Sequence, residues 1–530
     1  MKAFAALLET LAFTSQRNAK LARLAQYLTT TPDPDRGLAL GALTGGLKLR
    51  SVTPSLLRKL TEERVDPELF RLSSDFVGDL AETIALIWPG QGAPLDLPLT
   101  EAVTRLQSTP KTALPGLIAA WLDGLTPTER HALIKLATGG LRVGVSTRLA
   151  HRALASLGDL DPDRIAEHWH GLQPPYAPLF AWVEGGPEPV NHDPAPFRPL
   201  MLSHPFDAAA RQSLDPADFA AEWKWDGIRV QAVAGGGSAR LYSRTGEDIS
   251  DAFPDLTAAL GFEGALDGEL LVRREGRIAP FNDLQQRLNR KTVTRALLAS
   301  HPAVLRAYDI LHWQGEDLRP LPFTARRARL ETALAEMNSD RIDASPLVPL
   351  TDWDALDTLR TTPPDPVIEG VMLKRLDAPY LPGRPKGPWW KWKRDPMVVD
   401  AVLLYAQRGH GKRSGYYSDF TFGVWTTVPE GETLVPVGKA YFGFTDAELR
   451  QLDRFVRENT TDRFGPVRAV APKLVVEVAF EGLQSSSRHK SGLAMRFPRI
   501  SRIRWDKPAA QADRLETLAA LLPESPAERA

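Results

Sequence analysis

The segment AEWKWDGIRVQ, residues 221–231, sets Lys224 between Trp223 and Trp225 and flanks it with Glu222 and Asp226. In an extended chain successive side chains alternate faces, so Glu222, Lys224 and Asp226 share one face and the tryptophans the other. A half-buried strand with a solvated charged face shows the same alternation. Gly227 and Arg229 favour a chemical role, because a glycine directly after the carboxylate predicts a turn that presents the lysine. Groups of matching kind follow: Arg244 in SRTGEDIS, Asp267 and Glu269 in LDGEL, Glu369 and Lys374 in EGVMLKR, and Lys391 and Lys393 on one face of WWKWKRDP. Separated carboxylates with several cations suit metal-assisted phosphoryl or nucleotidyl transfer. The carboxylates can hold a hard divalent ion while the cations neutralise phosphate oxygens. A free lysine titrates near 10.4 and a nucleophile working at neutral pH wants roughly 7–8, a gap of about 4 kcal/mol. Neighbouring cations, a bound metal ion and desolvation between aromatics all act to close it.

The rest of the chain must position these groups. At 530 residues it is too long for one core and predicts three or four domains. Lys plus Arg equals Asp plus Glu, 65 each, so affinity for nucleic acid has to come from local patches. The absence of cysteine excludes disulfides, thiol nucleophiles and cysteine-bearing zinc sites. The ten histidines show no paired metal-ligand spacing. The amino terminus, MKAFAALLETLAF, reads as an amphipathic helix, since Glu9 interrupts the apolar run and no small-residue cleavage site follows. No run of about 18 apolar residues occurs, which predicts no membrane span and a cytoplasmic location, on the nucleoid in a prokaryote.

Residues 1–190 read as helical, with apolar residues three and four apart in LLETLAFTSQRNAKLARLAQYL, SDFVGDLAETIALIW and PTERHALIKLA. In TGGLRVGVSTRLAHRALA, two glycines, Arg142 and a helix capped by Ser146 would aim backbone N–H groups outward, as phosphate-binding helix starts do. A helix–turn–helix packing corner fits the same residues equally well. A proline-rich linker spans 184–199. Residues 197–397 then alternate short strands with helices, an α+β pattern. Residues 398–530 continue as strands compatible with a small β-barrel closed by the terminal helix DRLETLAALL. GGGS at 235–238 lies between two alternating runs and predicts a hairpin turn rather than a phosphate loop.

These motifs together resemble the ATP-dependent DNA ligases of the covalent lysyl-nucleotidyltransferase superfamily, in their three-domain form. KWDGIR matches the family's K-x-D-G-x-R, and SRTGEDIS, LDGEL, YDIL, EGVMLK, WKWK and FPRISRIRWDKP follow in family order, with VGKAYFGFTDAEL between the last two. K-x-D-G alone is a weak signal, whereas ordered companions are specific. The resemblance covers roughly 197–510 strongly and reaches the helical region through GGLRVGVS. It implies an all-α DNA-binding domain at 1–190, an α+β nucleotidyltransferase (ATP-grasp-like) domain at 197–397 and an OB-fold β-barrel at 398–530. The implied activity is the sealing of nicked double-stranded DNA by a monomer, serving DNA repair, replication or recombination.

In that scheme Lys224 attacks the α-phosphate of ATP, AMP passes to the 5′-phosphate at the nick, and the 3′-hydroxyl displaces it. Arg229 and Arg244 would contact phosphates and ribose, and Tyr308, where the family usually has phenylalanine, would stack on adenine. Glu222 would read the adenine edge and Asp226 would position the lysine. Glu269 and Glu369 would carry a divalent metal ion, Mg2+ by expectation, with Glu269 alternatively serving the ribose. Lys391 and Lys393 would hold the α-phosphate. Arg504, Asp506 and Lys507 would orient pyrophosphate. Arg142, Arg408, Lys412, Arg413, Arg488 and Lys490 would follow DNA, the last two in a basic run of seven Lys or Arg between Arg488 and Lys507. Lys393–Pro396 would be the hinge.

Three other readings share parts of this pattern. NAD-dependent ligases typically carry a four-cysteine zinc module, which a chain without cysteine cannot build. A GTP-using mRNA capping-type enzyme would normally lack the helical extension. A catalytically inactive nick-binding protein would be marked by loss of the lysine or of a metal carboxylate, and both are present.

Overall fold

The computed structural model describes residues 1–522 apart from 48, 50, 51, 289, 291, 410–414 and 488. The chain groups into two compact units. One holds Met1–Leu160, Gln173–Gly186 and Pro396–Ala530; the other holds Asp161–Leu172 and Pro187–Asp395. Among the described residues no helix is long and apolar enough to cross a membrane.

The second unit contains two sheets. The first is built on β1 (Phe219–Trp225), and the second on β2 (Ile228–Gly235), β3 (Ser238–Ser243), β4 (Gly264–Arg274) and β5 (Ala303–Trp313). β6 (Ile368–Arg375) and β7 (Trp389–Lys393) belong to the first, where β6 lies between β1 and β7 and is antiparallel to both; the short strands Leu347–Val348 and His204–Pro205 flank β1 and β7. The second sheet runs β3-β2-β4-β5, all antiparallel. Gly236 and Gly237, at φ +54° and +77°, make the tight β2–β3 turn that the GGGS run predicts. Strand periodicity divides each sheet into two faces. Val230, Leu241, Leu266, Leu270 and Leu305 pack on one side of the second sheet with Phe253 and Leu330. Trp223, Val371, Leu373, Trp390 and Trp392 cover the outer side of the first with Phe206, Trp353 and Leu356. Each fully buried large apolar side chain of this kind contributes about 1.5–3 kcal/mol.

The segment 161–172 joins this unit through identifiable contacts. Glu167 pairs with Arg319 at 2.5 Å, and the His170 ring sits 4.4 Å from that of Phe197.

In the other unit the amino-terminal region is helical, and the long periodic runs are divided more finely than their periodicity suggests. SDFVGDLAETIALIW is carried by two helices, Pro67–Val77 and Leu80–Ile87. Gly78 ends the first at φ +78°, and Asp79 caps the second by accepting from the Glu82 amide at 3.0 Å. LLETLAFTSQRNAKLARLAQYL divides likewise into Lys2–Phe13 and Arg17–Thr30. Ser146 caps Thr147–Ala155, accepting from the Leu149 amide at 3.3 Å. Buried Arg36 ties Ala177–Val183 to this region. It pairs with Asp33 and Glu184, each at 2.6 Å, and lies 4.2 Å from the Phe180 ring.

The carboxyl-terminal part is built on a sheet. Its long strand β8 (Met397–Arg408) pairs with β9 (Tyr417–Val428), and β9 pairs with β10 (Gly431–Ala440). On its other edge the second half of β8 pairs with β11 (Val467–Val470) and its first half with β12 (Val475–Phe480), which in turn pairs with β13 (Arg499–Arg504). Phe420, Phe422, Phe480 and Leu403 form its core together with Leu449, Leu452 and Val456 of the helix Asp446–Asn459.

One backbone position in β6 governs the first sheet. Gly370 has φ +149°, and a Cβ there would collide with the carbonyl oxygen of Trp392 on β7. Gly370→Ala is therefore expected to destabilise this unit by about 3 kcal/mol, combining backbone strain with overpacking. Thermal and urea unfolding followed by tryptophan fluorescence measures the loss.

Candidate active site

The register of the first sheet assembles three rows on its inner face: Lys224–Gly370–Lys393, Glu222–Met372–Lys391 and Ala220–Lys374–Trp389. Simple alternation would aim Glu369 away from these rows. The β1–β6 register shifts between Ile368 and Gly370, so Glu369 is the extra residue of a bulge and its side chain is re-aimed. Lys224 Nζ donates to Glu369 Oε1, and Lys393 Nζ lies 3.2 Å from Oε2. The bulge's carbonyl is satisfied by the Arg394 amide at 2.9 Å. One carboxylate thus holds two lysines from the two flanking strands.

Gly227 acts by close approach rather than by a left-handed turn. A Cβ there would stand 2.5 Å from the Leu270 carbonyl oxygen and 2.8 Å from Glu269 Cγ. The bend after β1, where the Asp226 amide donates to the Val367 carbonyl at 2.9 Å, therefore lies directly beside Glu269 on β4.

A second cluster surrounds Glu222, which is 1 % exposed. Lys374 Nζ, equally buried, donates to both Glu222 oxygens at 3.1 and 3.2 Å and to the Tyr308 carbonyl at 2.7 Å. Arg327 reaches Glu222 at 3.4 Å. The same ammonium sits 4.6 Å from the Tyr308 ring centroid and 4.8 Å from that of Trp389. Tyr308, too, occupies a bulge: Asp267 pairs with Asp309 and Gly268 with Ala307, which leaves Tyr308 over and its carbonyl open to Lys374. A third cluster centres on fully buried Asp267. Arg229 engages both its oxygens, at 3.0 and 2.6 Å, and the Tyr380 hydroxyl donates to it at 2.7 Å. Trp389, Tyr380, Val233, Ala265 and Leu311 form an apolar layer under these groups.

The electrostatics divide the carboxylates. Burial pushes the half-buried Glu269 carboxyl up to about 8, with repulsion from Glu369 adding to burial and Lys224 opposing it. Burial also opposes ionisation of Glu369, but Lys224 and Lys393 outweigh it and hold that carboxyl below its ordinary value. Desolvation, with repulsion from Lys393, Lys224, Arg384 and Arg244, lowers Lys391. The same field, after partial desolvation, lowers Arg244 through Arg229 and Arg384. Six cations, Lys224, Lys391, Lys393, Arg229, Arg244 and Arg384, and two differently charged carboxyls thus share one polar region, suited to a polyanion whose charge is met from several sides.

Lys224, Glu269, Glu369, Lys391, Lys393 and Arg244 come together as a cluster. Glu222 and Arg229 lie one layer deeper, each committed to a buried partner. Lys374, Asp267, Tyr380, Trp389, Arg327 and Arg384 also belong to the site. Lys374 and Trp389 were signalled by their even spacing from Gly370 and Lys391, and Arg384 by the GRPKG run before β7. Arg504, Asp506 and Lys507 lie in the other unit, grouped on Asp400: Oδ2 accepts from Lys507 Nζ at 2.7 Å and from Arg504 Nη1 at 3.1 Å. Arg142 is exposed ahead of the Ser146-capped helix, and Lys490 is exposed beyond β12. Arg408 lies 5.9 Å from the rings of Phe76 and Tyr417, in a cavity of about 430 Å³ also lined by Arg457, Arg463 and Arg468. Lys412, Arg413 and Arg488 fall outside the described residues.

Comparison with known proteins agrees with this chemistry. The sequence family of the ATP dependent DNA ligase domain matches residues 200–393, and that of the ATP dependent DNA ligase C terminal region matches 413–507. A probable DNA ligase of Koribacter versatilis is 31 % identical over 97 % of this chain and 95 % of its own. A probable DNA ligase of Streptomyces avermitilis is 32 % identical over 97 % of each. The solved structure of Pmar-Lig_PreS3 aligns with 94 % of this chain and 99 % of its own at a TM-score of 0.61; at 16 % identity it bears on the fold alone, a helical region followed by sheet-rich domains. A chain that matches such relatives along nearly its whole length, and that carries the family's catalytic and C-terminal domains, belongs to the ATP-dependent DNA ligase family.

Proposed function

We propose that Lys224 is the residue that carries AMP in this ligase, and the observation that supports it most is the sharing of Glu369 between Lys224 and Lys393 across Gly370. The Nζ lone pair attacks the α-phosphorus of ATP, the bond to the bridging oxygen breaks, pyrophosphate leaves and Nζ gives up a proton. AMP then moves to the 5′-phosphate of a nick, freeing Lys224, and the 3′-hydroxyl displaces AMP to close the strand. Lys391, Lys393 and Arg244 meet the phosphate charge, Tyr308 offers its ring to the base, and Glu222 with Lys374 forms the polar edge beside it. Arg229, fixed by Asp267, holds the wall behind the ribose and phosphates. Arg504 and Lys507, presented by a barrel of OB-fold type, orient pyrophosphate, and the helical region with Arg142 grips duplex DNA.

Glu269 and Glu369 are hard oxygen donors close enough for their charges to repel, which fits a divalent cation such as Mg2+. Among the described residues no group of three or more His, Cys, Asp or Glu gathers, so phosphate oxygens would have to complete the coordination. When bound, such an ion would supply neutralisation of phosphate charge.

Incubated with ATP labelled on the α-phosphate, the protein should become covalently labelled, with GTP and NAD giving no label. Lys224→Ala should abolish the labelling, and label persisting in that variant removes Lys224 from the role.

A carboxyl raised in the fold keeps its proton while the unfolded chain has lost it. Glu269 therefore costs stability progressively as pH rises from about 4.5 to about 8, and the cost is level beyond that. Glu269→Gln should be more stable than the parent by on the order of 2 kcal/mol at pH 8.5 and equal to it at pH 4.5, read by denaturant unfolding.

For the DNA contact, Arg142→Ala should weaken binding to nicked duplex alike across sequences and reduce the slope of log affinity against log salt by about one. Self-adenylylation should be unchanged. A salt slope equal to the parent's would take Arg142 off the DNA.

A further inference from the structure

Asp400, on β8, lies 104 residues from Arg504 and 107 from Lys507, yet a single oxygen of it receives both side chains. Its other oxygen, Oδ1, is buried without a hydrogen-bond partner among the described residues. The backbone around it is fixed in both directions: the Asp400 amide donates to Asp513 Oδ2 at 2.8 Å, and the Asp513 amide donates to the Asp400 carbonyl at 2.8 Å. Asp506 braces Arg504 from its other side at 2.9–3.0 Å, and the Lys507 amide closes a turn onto the Arg504 carbonyl at 3.2 Å. Asp400 is the inner member of the group, with 13 % of its side chain exposed, while Arg504 and Lys507 keep 22 % and 20 %.

Two cations left to themselves repel and spread apart. Held within hydrogen-bond reach of one oxygen, they keep a fixed spacing, which two cations that meet one polyphosphate require. We propose that Asp400 is a positioning residue for the Arg504–Lys507 pair, setting the geometry in which that pair orients pyrophosphate during lysine adenylylation. Asp400 itself touches no substrate. The inference rests on the proposed role of Arg504 and Lys507 in the first step.

The test uses the full chain with Asp400→Asn, Asp400→Glu, Lys507→Ala and the Asp400→Asn/Lys507→Ala double variant. Three single-turnover rates are measured: self-adenylylation with ATP, its reversal by pyrophosphate, and sealing of a pre-adenylylated nick. Asp400→Asn keeps the shape and removes the charge, and should slow adenylylation and its reversal together, roughly tenfold, with sealing changed less than twofold. Asp400→Glu should recover part of the loss. The double variant should be little slower than Lys507→Ala alone, because the two residues act as one unit. If Lys507→Ala slows adenylylation while Asp400→Asn leaves it intact, the inference falls and the reading of Arg504 and Lys507 stands. If Lys507→Ala leaves adenylylation intact, that reading fails first. Equal losses in adenylylation and sealing, not recovered by Asp400→Glu, would make Asp400 a structural residue of the barrel and overturn the proposal.

Discussion

The inner face of the first sheet depends on Glu369 lying between Lys224 and Lys393. Two ammonium groups about 5 Å apart repel by about 3 kcal/mol at an effective dielectric near 20, and more as water is excluded. A carboxylate with one oxygen on each converts that repulsion into two attractions, so both cations can stay on a partly buried face. Lys224, Glu369 and Lys393 come from three adjacent strands, so the arrangement is only as secure as the register. A slip of one residue in any of the three would turn a member of the set to the tryptophan-covered side. The aromatic outer face of Trp223, Trp390 and Trp392 is what makes such a slip costly, since it would expose large apolar surface and bury charge together.

Two bulges then do what regular strands cannot. In β6 the extra residue is Glu369, and in β5 it is Tyr308. A bulge lets one side chain leave the alternation without moving its neighbours, and frees a backbone group as well. Lys374 uses that freedom, since its bond to the Tyr308 carbonyl exists because the ladder is interrupted there. Gly370 accommodates the backbone that follows the first bulge and lets β7 approach closely, where a Cβ would collide with the Trp392 carbonyl oxygen.

Alternation along EWKW and WWKWK is enough to put Glu222 with Lys224, and Lys391 with Lys393, and those pairs share the inner face of the first sheet. The residues that come together as the cluster were all legible as types and spacings. What lay beyond reach was their partnership. Glu369 differs in parity from Lys374, so strand periodicity alone assigns them opposite faces; only the bulge reconciles them. The burial of Glu222 depends on Lys374 and Arg327, which are 152 and 105 residues away, and no local pattern encodes such a pairing. Gly227 was legible as special, but its reason is a carbonyl on β4 rather than its own backbone angles. The divided helices at Gly78 show the same limit in the helical region: apolar periodicity runs through the break because both helices bury the same kind of face, and only the glycine and the Asp79 cap mark it.

The same physical device occurs at both groups of cations. Lys224 and Lys393 rest on Glu369, and Arg504 and Lys507 rest on Asp400. A carboxylate oxygen and a phosphate oxygen demand nearly the same geometry of N–H donors, and both accept charge-assisted hydrogen bonds. Cations kept on carboxylates are already stripped of part of their water and already set near the spacing an anion needs. Bringing in a phosphate then exchanges one oxyanion for another, or adds a second beside the first, instead of ordering flexible, fully hydrated side chains from the start. Ordering long side chains of this kind costs about 0.5–1.5 kcal/mol each. Each group of cations is in this way balanced by its own acid, Glu369 in one unit and Asp400 in the other.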